Sequence, residues 1–511
     1  MNTEKEESKN HNLYDTLINI SALLVFLSIF FFSYEYKILQ KIKFYTKESQ
    51  VEKIQSYNLS SNLEIKNNES LSPATSVPIL MYHGVVLVED VDSNTSRKNF
   101  ISHMEMLKRE GYETISVSEL NSFTQGKFKL PPKPIIITFD DGRKDSYYTV
   151  DEVFEKLGFK GTIFIATTKA VNNDPFYLSW DELKILRDSG RWEIEAHGRR
   201  SHDEVPVDSE GNFGRFYSSR VFILGLGLES IKDFNKRVEA DYISGIEDLK
   251  NNLGINPMYF AIPLGDYGEF DQSNYADSKE LNVSLTKKYF KFAFTQAGAS
   301  ESFYNYADSN PYNLKRLDVK NITSGDLLRL LNKFSSKEKS LNYPDKDNLE
   351  ILESIELLYG LMKFTDKGVE LSIPEEKSSV RLIIGDRGWK DYSIKIEVLN
   401  DGGKSNSVLI YYQDEDNYIA LNQDRNSLWI IEKMNGVERE IARSVQTLSN
   451  NSNQFELRVS KGNLSAKVNG TEVVNGARIN LKRGAGGFSL WDPEGKGKST
   501  IKKLLLNHYD F

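Results

Sequence analysis

The chain has 511 residues, 39% of them hydrophobic and 27% charged, with a formal net charge of −8 and no cysteine. That length exceeds what one hydrophobic core organises and points to two or three domains. The absence of cysteine excludes disulfides, thiolate metal sites and cysteine nucleophiles, and the acidic balance gives no support to a nucleic-acid partner. Histidine chemistry must draw on six residues: His11, His83, His103, His197, His202 and His508.

Residues 1–16 are polar and read as a tail. Leu17 to Phe32 is an uncharged apolar run, and with Ser33 to Tyr36 it approaches the roughly 20 residues that span a bilayer, so 17–36 is expected to be a transmembrane helix. A basic leader and a small-x-small cleavage site are missing, which argues against a signal peptide. Lys37, Lys41, Lys43 and Lys47 follow the run, so positive charge alone would put that side in the cytoplasm. Residues 37–75 read as a linker, rich in Asn and Ser towards its end.

From 76 to 336, strands and helices alternate. Val77–Tyr82, Ile135–Phe139, Thr162–Ala166, Trp192–Ala196, Met258–Ile262 and Phe292–Thr295 have the β-branched and aromatic character of buried strands. Asn99–Glu110, Tyr147–Leu157, Trp180–Ser189 and Val238–Leu253 have helical periodicity, and each is followed by glycine. Such alternation predicts a parallel α/β barrel or sheet, in which chemistry collects at the C-terminal ends of the strands. His83, Asp140, Asp141, His197 and Pro263 all fall just after a predicted strand. Beyond a linker at 337–348, residues 349–511 change to short alternating runs separated by turns such as Asn435-Gly436, which predicts an all-β sandwich or jelly roll. Trp389, Tyr411, Tyr412, Tyr418, Trp429 and Trp491 are candidates there for either core or a sugar platform.

Asp140 and Asp141 pose the central problem. Two adjacent carboxylates at the end of an apolar strand repel each other and lose solvation unless a cation or a shared proton compensates them. One carboxylate and two imidazoles make a three-ligand set for Zn²⁺ or a similar divalent ion, with positions left open for water and substrate. Asp141, His197 and His202 are the expected ligands. Asp140 beside them is then free to act as general base toward water.

Residues 77–335 resemble the NodB-homology polysaccharide deacetylases, carbohydrate esterase family 4. The resemblance rests on Pro78-Ile79-Leu80-Met81-Tyr82-His83-Gly84-Val85, on Thr138-Phe139-Asp140-Asp141-Gly142, on Glu193 through His202, on Phe260-Ala261-Ile262-Pro263-Leu264-Gly265 and on Arg316-Leu317-Asp318-Val319. The opening motif is similar to the branch acting on poly-N-acetylglucosamine. The resemblance implies a distorted (β/α)7 barrel and metal-dependent removal of N-acetyl groups from an envelope glycan. The 349–511 region resembles concanavalin or laminin-G-like sandwiches.

Three departures stand out. The two histidines are five residues apart where the family pattern has four. Phe260 stands where the family places an arginine that orients the base, and Arg316 is the candidate replacement. The family's general-acid histidine has no counterpart between His202 and His508, which leaves His83 as the candidate acid. Pro263 and Leu264 are expected at the substrate, with a backbone N–H near Leu264 helping to hold the oxyanion. The whole is expected at the cell membrane as a single-pass protein with its catalytic domain outside. The alternatives are an O-acetyl esterase and a catalytically impaired glycan-binding scaffold.

Overall fold

Seven apolar runs pair side by side in the computed structural model of the chain, which describes residues 56–58, 63–68, 71–87, 94–265, 267–268, 273–297, 302–333, 341–343, 355–400, 404–424, 427–445 and 452–508. In chain order the elements are β1 (Ser76–Tyr82), α1 (Arg97–Arg109), α2 (Val117–Thr124), β2 (Pro134–Phe139), α3 (Asp151–Leu157), β3 (Gly161–Ile165), α4 (Thr167–Val171), α5 (Trp180–Asp188), β4 (Trp192–Ala196), α6 (Ile231–Leu253), β5 (Tyr259–Ala261), α7 (Ser278–Tyr289), β6 (Phe292–Gln296), β7 (Leu314–Asp318) and α8 (Ser324–Lys333). The strands run β1-β7-β6-β5-β4-β3-β2, and β2 pairs back onto β1 in parallel register, Leu80 against Ile137 and Tyr82 against Phe139. The result is a closed seven-stranded parallel barrel.

The alternation of side chains along each strand decides what fills it. Val77, Ile79, Ile136, Phe164, Tyr259, Ala261, Phe292, Phe294 and Leu314 form one buried cluster inside the barrel. Leu80, Tyr82, Ile137 and Phe139 point the other way and pack with Phe100 and Phe154 of the surrounding helices. Val117 and Leu120 of α2 join the interior cluster, so α2 plugs the end of the barrel away from the strand C-termini. Glu193 of β4 reaches that plug and accepts hydrogen bonds from the Val117 and Ser118 amides at 2.8 and 3.2 Å, which satisfies N–H groups in the first turn of α2.

Several helices lay hidden in the sequence. α2 and α7 lack a long apolar stripe, and the first turn of α6 begins with Ile231, Lys232 and Asp233 exposed and only Phe234 buried. Ser116 and Ser179 close capping boxes with Glu119 and Glu182 at the starts of α2 and α5.

The C-terminal region is two antiparallel sheets of eight and seven strands. The seven-stranded sheet contains β8 (Ser405–Asp414), β9 (Asn417–Asp424), β10 (Ser427–Met434), β11 (Val437–Val445) and β12 (Ala485–Trp491), in the spatial order β12-β8-β9-β10-β11. Inward residues of both sheets, among them Ile394, Ile396, Val408, Ile410, Leu457 and Phe488, share one core. Leu341–Tyr343, inside the segment read as a linker, pairs with Leu504–Leu506 of the last strand. The barrel docks on this region through Arg483, which bonds Asp308 and lies 3.6 Å over the Tyr306 ring, while the Tyr306 hydroxyl donates to Asp386 at 3.1 Å. Among the described residues no helix is long and apolar enough to cross a membrane, and the segment 17–36 lies outside them.

Candidate active site

β2 ends in Phe139, and the chain then turns through Asp141 at φ +75° and Gly142 at φ +77°. Asp141 is an aspartate in the left-handed region, a conformation that costs a non-glycine residue about 1 kcal/mol or more. The φ of Gly142 favours glycine at the second turn position, and a Cβ there would also crowd the end of the Ile165 side chain at 2.8 Å. The double turn sends the two neighbouring carboxylates to different partners.

Asp140 is buried, and Arg316 of β7 grips it with two parallel bonds, Nη1 to Oδ1 at 2.6 Å and Nη2 to Oδ2 at 2.7 Å. Arg316 is fully buried, stacks 5.4 Å from the Phe164 ring and also donates to Thr138 Oγ1 at 3.2 Å. β7 and β2 both border β1, which is why an arginine so distant in sequence reaches this carboxylate. Burial alone would raise the Asp140 pKa; the Arg316 charge and its hydrogen bonds, with His197 between them in size, outweigh it and hold the carboxyl below its ordinary range. Phe260 is buried on β5 and stacks on Phe290, away from the acids.

Asp141, His197 and His202 converge, with one ligand atom from each lying within 4.8 Å of the others. The Asp141 Oδ1 atom is 3.6 Å from His197 Nε2 and 3.4 Å from His202 Nε2. Each imidazole is held by its other nitrogen: His197 Nδ1 bonds the Ala261 carbonyl at 2.7 Å, and His202 Nδ1 bonds Ser201 Oγ at 3.1 Å. Both Nε2 atoms therefore face the carboxylate, the arrangement in which a second hydrogen bond orients a metal-ligating histidine. Two imidazole nitrogens and one carboxylate oxygen suit Zn²⁺ or a similar divalent ion.

The five-residue spacing is accommodated by a tight loop. Gly198 turns at φ +79°, Ser201 Oγ donates to the His197 carbonyl at 2.6 Å, and the Asp241 carboxylate accepts the Arg199 and Arg200 amides at 3.0 and 2.8 Å. Tyr217 donates to the same carboxylate at 2.7 Å. Helix α6 presses close here, where a Cβ on Gly245 would come within 3.2 Å of the Gly198 carbonyl carbon. Asp241 did not stand out in the sequence. The available signal was an acid on the face of α6 that also carries Val238, Tyr242, Gly245 and Leu249, all of them buried.

Electrostatics distinguish the two imidazoles. Burial works to lower the His197 pKa, but Asp140 and Asp141 outweigh it and raise it. Burial, and then the His197 charge, push His202 down to about 4. Burial likewise opposes ionisation of Asp141, yet the hydrogen bond from His197 and the neighbouring imidazoles keep its carboxyl far below the usual range.

His83 lies at the end of β1, and its charge is felt at Asp140, Asp141 and His202. Its Nδ1 is buried without a hydrogen-bond partner among the described residues. Pro263 is buried, and Leu264 follows at φ +62° with 47% of its surface exposed, a second strained non-glycine residue at the same end of the barrel. Gln296 and Asp318 pair at 3.1 Å at the ends of β6 and β7. His103 is remote in role: it is fully buried between the Tyr82 hydroxyl at 2.9 Å and the Ile322 carbonyl at 2.8 Å.

Residues 127–283, which include β2 to β5 of the barrel, match the family model described as polysaccharide deacetylase, so that segment carries a domain of this type. The chain is 21% identical over 174 residues to the poly-beta-1,6-N-acetyl-D-glucosamine N-deacetylase of Escherichia coli (strain K12), a match covering 31% of this chain and 26% of that protein. It is 32% identical over 121 residues to YxkH of Bacillus subtilis (strain 168), a protein carrying a polysaccharide deacetylase name, covering 24% of this chain and 42% of YxkH. The matches thus span less than half the length of these relatives. A solved de-N-acetylase from Aggregatibacter actinomycetemcomitans superposes on 50% of this chain and 100% of its own, at 19% identity and a TM-score of 0.43.

Proposed function

We propose that this chain is a metal-dependent hydrolase that removes N-acetyl groups from an envelope or extracellular polysaccharide of the poly-N-acetylglucosamine or peptidoglycan type. The observation that carries the reading is the division of two adjacent carboxylates, one gripped by a buried arginine and the other facing two oriented imidazoles. Asp141, His197 and His202 would hold the ion, most fittingly Zn²⁺. Such an ion, when bound, acidifies water and polarises a carbonyl.

The chain's own groups do the rest. Asp140 takes the proton of the attacking water on its carboxylate, and Arg316 keeps that carboxylate ionised and aimed. His83, half-buried beside the acids and with an unpartnered Nδ1 among the described residues, is the donor that protonates the departing sugar nitrogen. The Leu264 backbone N–H, in its strained turn, is suited to the developing oxyanion. Acetate leaves and the sugar gains an amine, so a neutral polymer becomes cationic. The apolar run at 17–36 would anchor the chain in the cell membrane with the barrel outside.

The test is acetate release from N-acetylglucosamine oligomers. It is expected to require a divalent ion and to vanish in Asp140→Asn while metal content is retained. Activity in metal-free protein, or normal turnover by Asp140→Asn, overturns the mechanism; glycan binding without any acetate release favours the scaffold alternative.

A further inference from the structure

Aromatic residues in the C-terminal region range from core to surface, with Trp429 half-buried. Trp389, Tyr411 and Tyr412 are each 2% exposed and belong to the core, whereas Trp491 is 48% exposed. An exposed tryptophan forgoes the large apolar burial its side chain otherwise contributes. Trp491 does not stand alone. It lies beside Ser405 across the β12–β8 pair, and Ser405 lies beside Asp424 across the β8–β9 pair. On the next strand, Trp429 of β10 faces Asn422 of β9. Cross-strand neighbours share a face, so these residues line one side of the seven-stranded sheet. Lys404, Ser405, Asp424, Trp429 and Trp491 line an open pocket of about 410 Å³, within the roughly 300–1,000 Å³ range of small-ligand sites.

The charges around the pocket are unequal. Lys404 is paired with Glu494 at 3.1 Å, and Arg443, which lies 5.7 Å over the Trp429 ring, is paired with Glu440 at 2.5 Å. Asp424 is exposed and has no ion-pair partner among the described residues. The local balance of these five charged groups is therefore one negative charge. Two indole faces, a hydroxyl and an unpaired carboxylate are the complement of a pyranose ring that carries an amine. The apolar C–H face of such a ring stacks on an indole, its hydroxyls meet Ser405, and its ammonium meets both Asp424 and the indole π-face.

We infer that this pocket binds glycan chains containing de-N-acetylated amino sugar, and so holds the chain on polymer bearing free amines. The choice of an amino sugar as occupant rests partly on the reading of the barrel as an N-deacetylase; the pocket's geometry and charge do not.

The experiment uses the full chain carrying Asp140→Asn, so that ligands are not converted. It titrates a hexamer of β-linked glucosamine, and separately its fully N-acetylated counterpart, against intrinsic tryptophan fluorescence and calorimetry. The glucosamine hexamer is expected to quench fluorescence and to bind more tightly than the acetylated one. Trp491→Ala and Trp429→Ala should each weaken it about tenfold or more, the scale of losing one central aromatic anchor. Asp424→Asn should abolish the preference for the amine form while leaving the weaker binding of the acetylated hexamer unchanged. Acetate release from a short acetylated oligomer should be unaffected by these three changes in the Asp140 background. Affinities unaltered by both tryptophan changes, or equal affinity for the two hexamers, overturn the proposal. Failure of the barrel reading registers elsewhere, as absent acetate release by the unsubstituted chain, and leaves these affinities as they are.

Discussion

Removing the arginine that grips the base should expose how much of the site depends on one buried ion pair. Arg316 is fully buried and the Asp140 side chain is 4% exposed, so neither charge can fall back on water if the other is lost. Arg316→Met leaves a buried carboxylate with no counter-charge and forfeits bonds of 2.6 and 2.7 Å. Breaking a buried pair from one side costs about 3–5 kcal/mol. Two charge-assisted bonds at about 1.5–3 kcal/mol each arrive at a similar figure. Arg316→Lys keeps the charge but has a single ammonium in place of the planar fork, so roughly half of that loss is expected. The sharper measurement is a double-mutant cycle by urea unfolding. In the Asp140→Asn background the carboxylate is already gone, and Arg316→Met should then cost no more than about 1–2 kcal/mol, a coupling of about 2–3 kcal/mol. Acetate release by Arg316→Met should fall by at least about a hundredfold, because the base loses both its orientation and its stabilised charge. A cycle with coupling below about 0.5 kcal/mol, or activity within twofold of the parent, would refute the view that Arg316 holds the base.

Three further outcomes follow from the geometry. His197→Ala and Asp141→Ala should each lose bound divalent metal in equilibrium dialysis, whereas His103→Ala, a histidine remote from the cluster, should retain it; retention of metal by His197→Ala would remove His197 from the ligand set. Gly198→Ala places a side chain where φ is +79° and a Cβ would lie 2.5 Å from the Tyr217 hydroxyl, so a loss of at least about 1–2 kcal/mol is expected, together with weaker metal binding as the His197–His202 loop shifts. At the junction of the two regions, burial raises the Asp386 pKa to about 6, against the Gly388 and Tyr306 hydrogen bonds and the Arg387 and Arg483 charges that oppose it. Between the ordinary aspartate range and that value the folded state binds the extra proton, so this group's stabilising contribution is full at low pH and is lost as pH rises towards 6. The loss is bounded at about 3 kcal/mol, at 1.36 kcal/mol per unit. Asp386→Asn should flatten that part of the stability curve relative to the parent, and an unchanged difference between pH 4 and pH 7 would contradict the assignment.

Much of the barrel was legible from composition along the chain. Ile135-Ile136-Ile137 and Trp192–Ala196 carry β-branched or aromatic residues in runs too short for helices, and their ends coincide with Asp140, Asp141 and His197. A strand buried on both faces advertises itself because every position must be apolar or specially paired. The alternating runs of the C-terminal region likewise correspond to its antiparallel strands, while Ser379–Ile384, Val437–Val445 and Thr471–Arg478 are among those that carried no such mark. Val437–Val445 is an edge strand with mostly exposed residues, and no burial pattern marks it.

The sequence by itself determined that two carboxylates and two histidines occupy strand ends, because local hydrophobicity sets strand boundaries and covalent order sets which residue follows. It named the polar residues that had to be reconciled with burial. Only the tertiary structure decided who meets whom. Arg316 reaches Asp140 because β1 closes the barrel between β2 and β7, a contact between residues 176 positions apart. The five-residue histidine spacing forms a cluster because Asp241, on a helix packed against the loop, ties down Arg199 and Arg200. Trp491 and Trp429 share a face because strand pairing aligns β12 with β10 through two intervening strands. Such contacts lie outside the reach of periodicity, since closure and register are set by the packing of the whole core, and no window of sequence contains both partners.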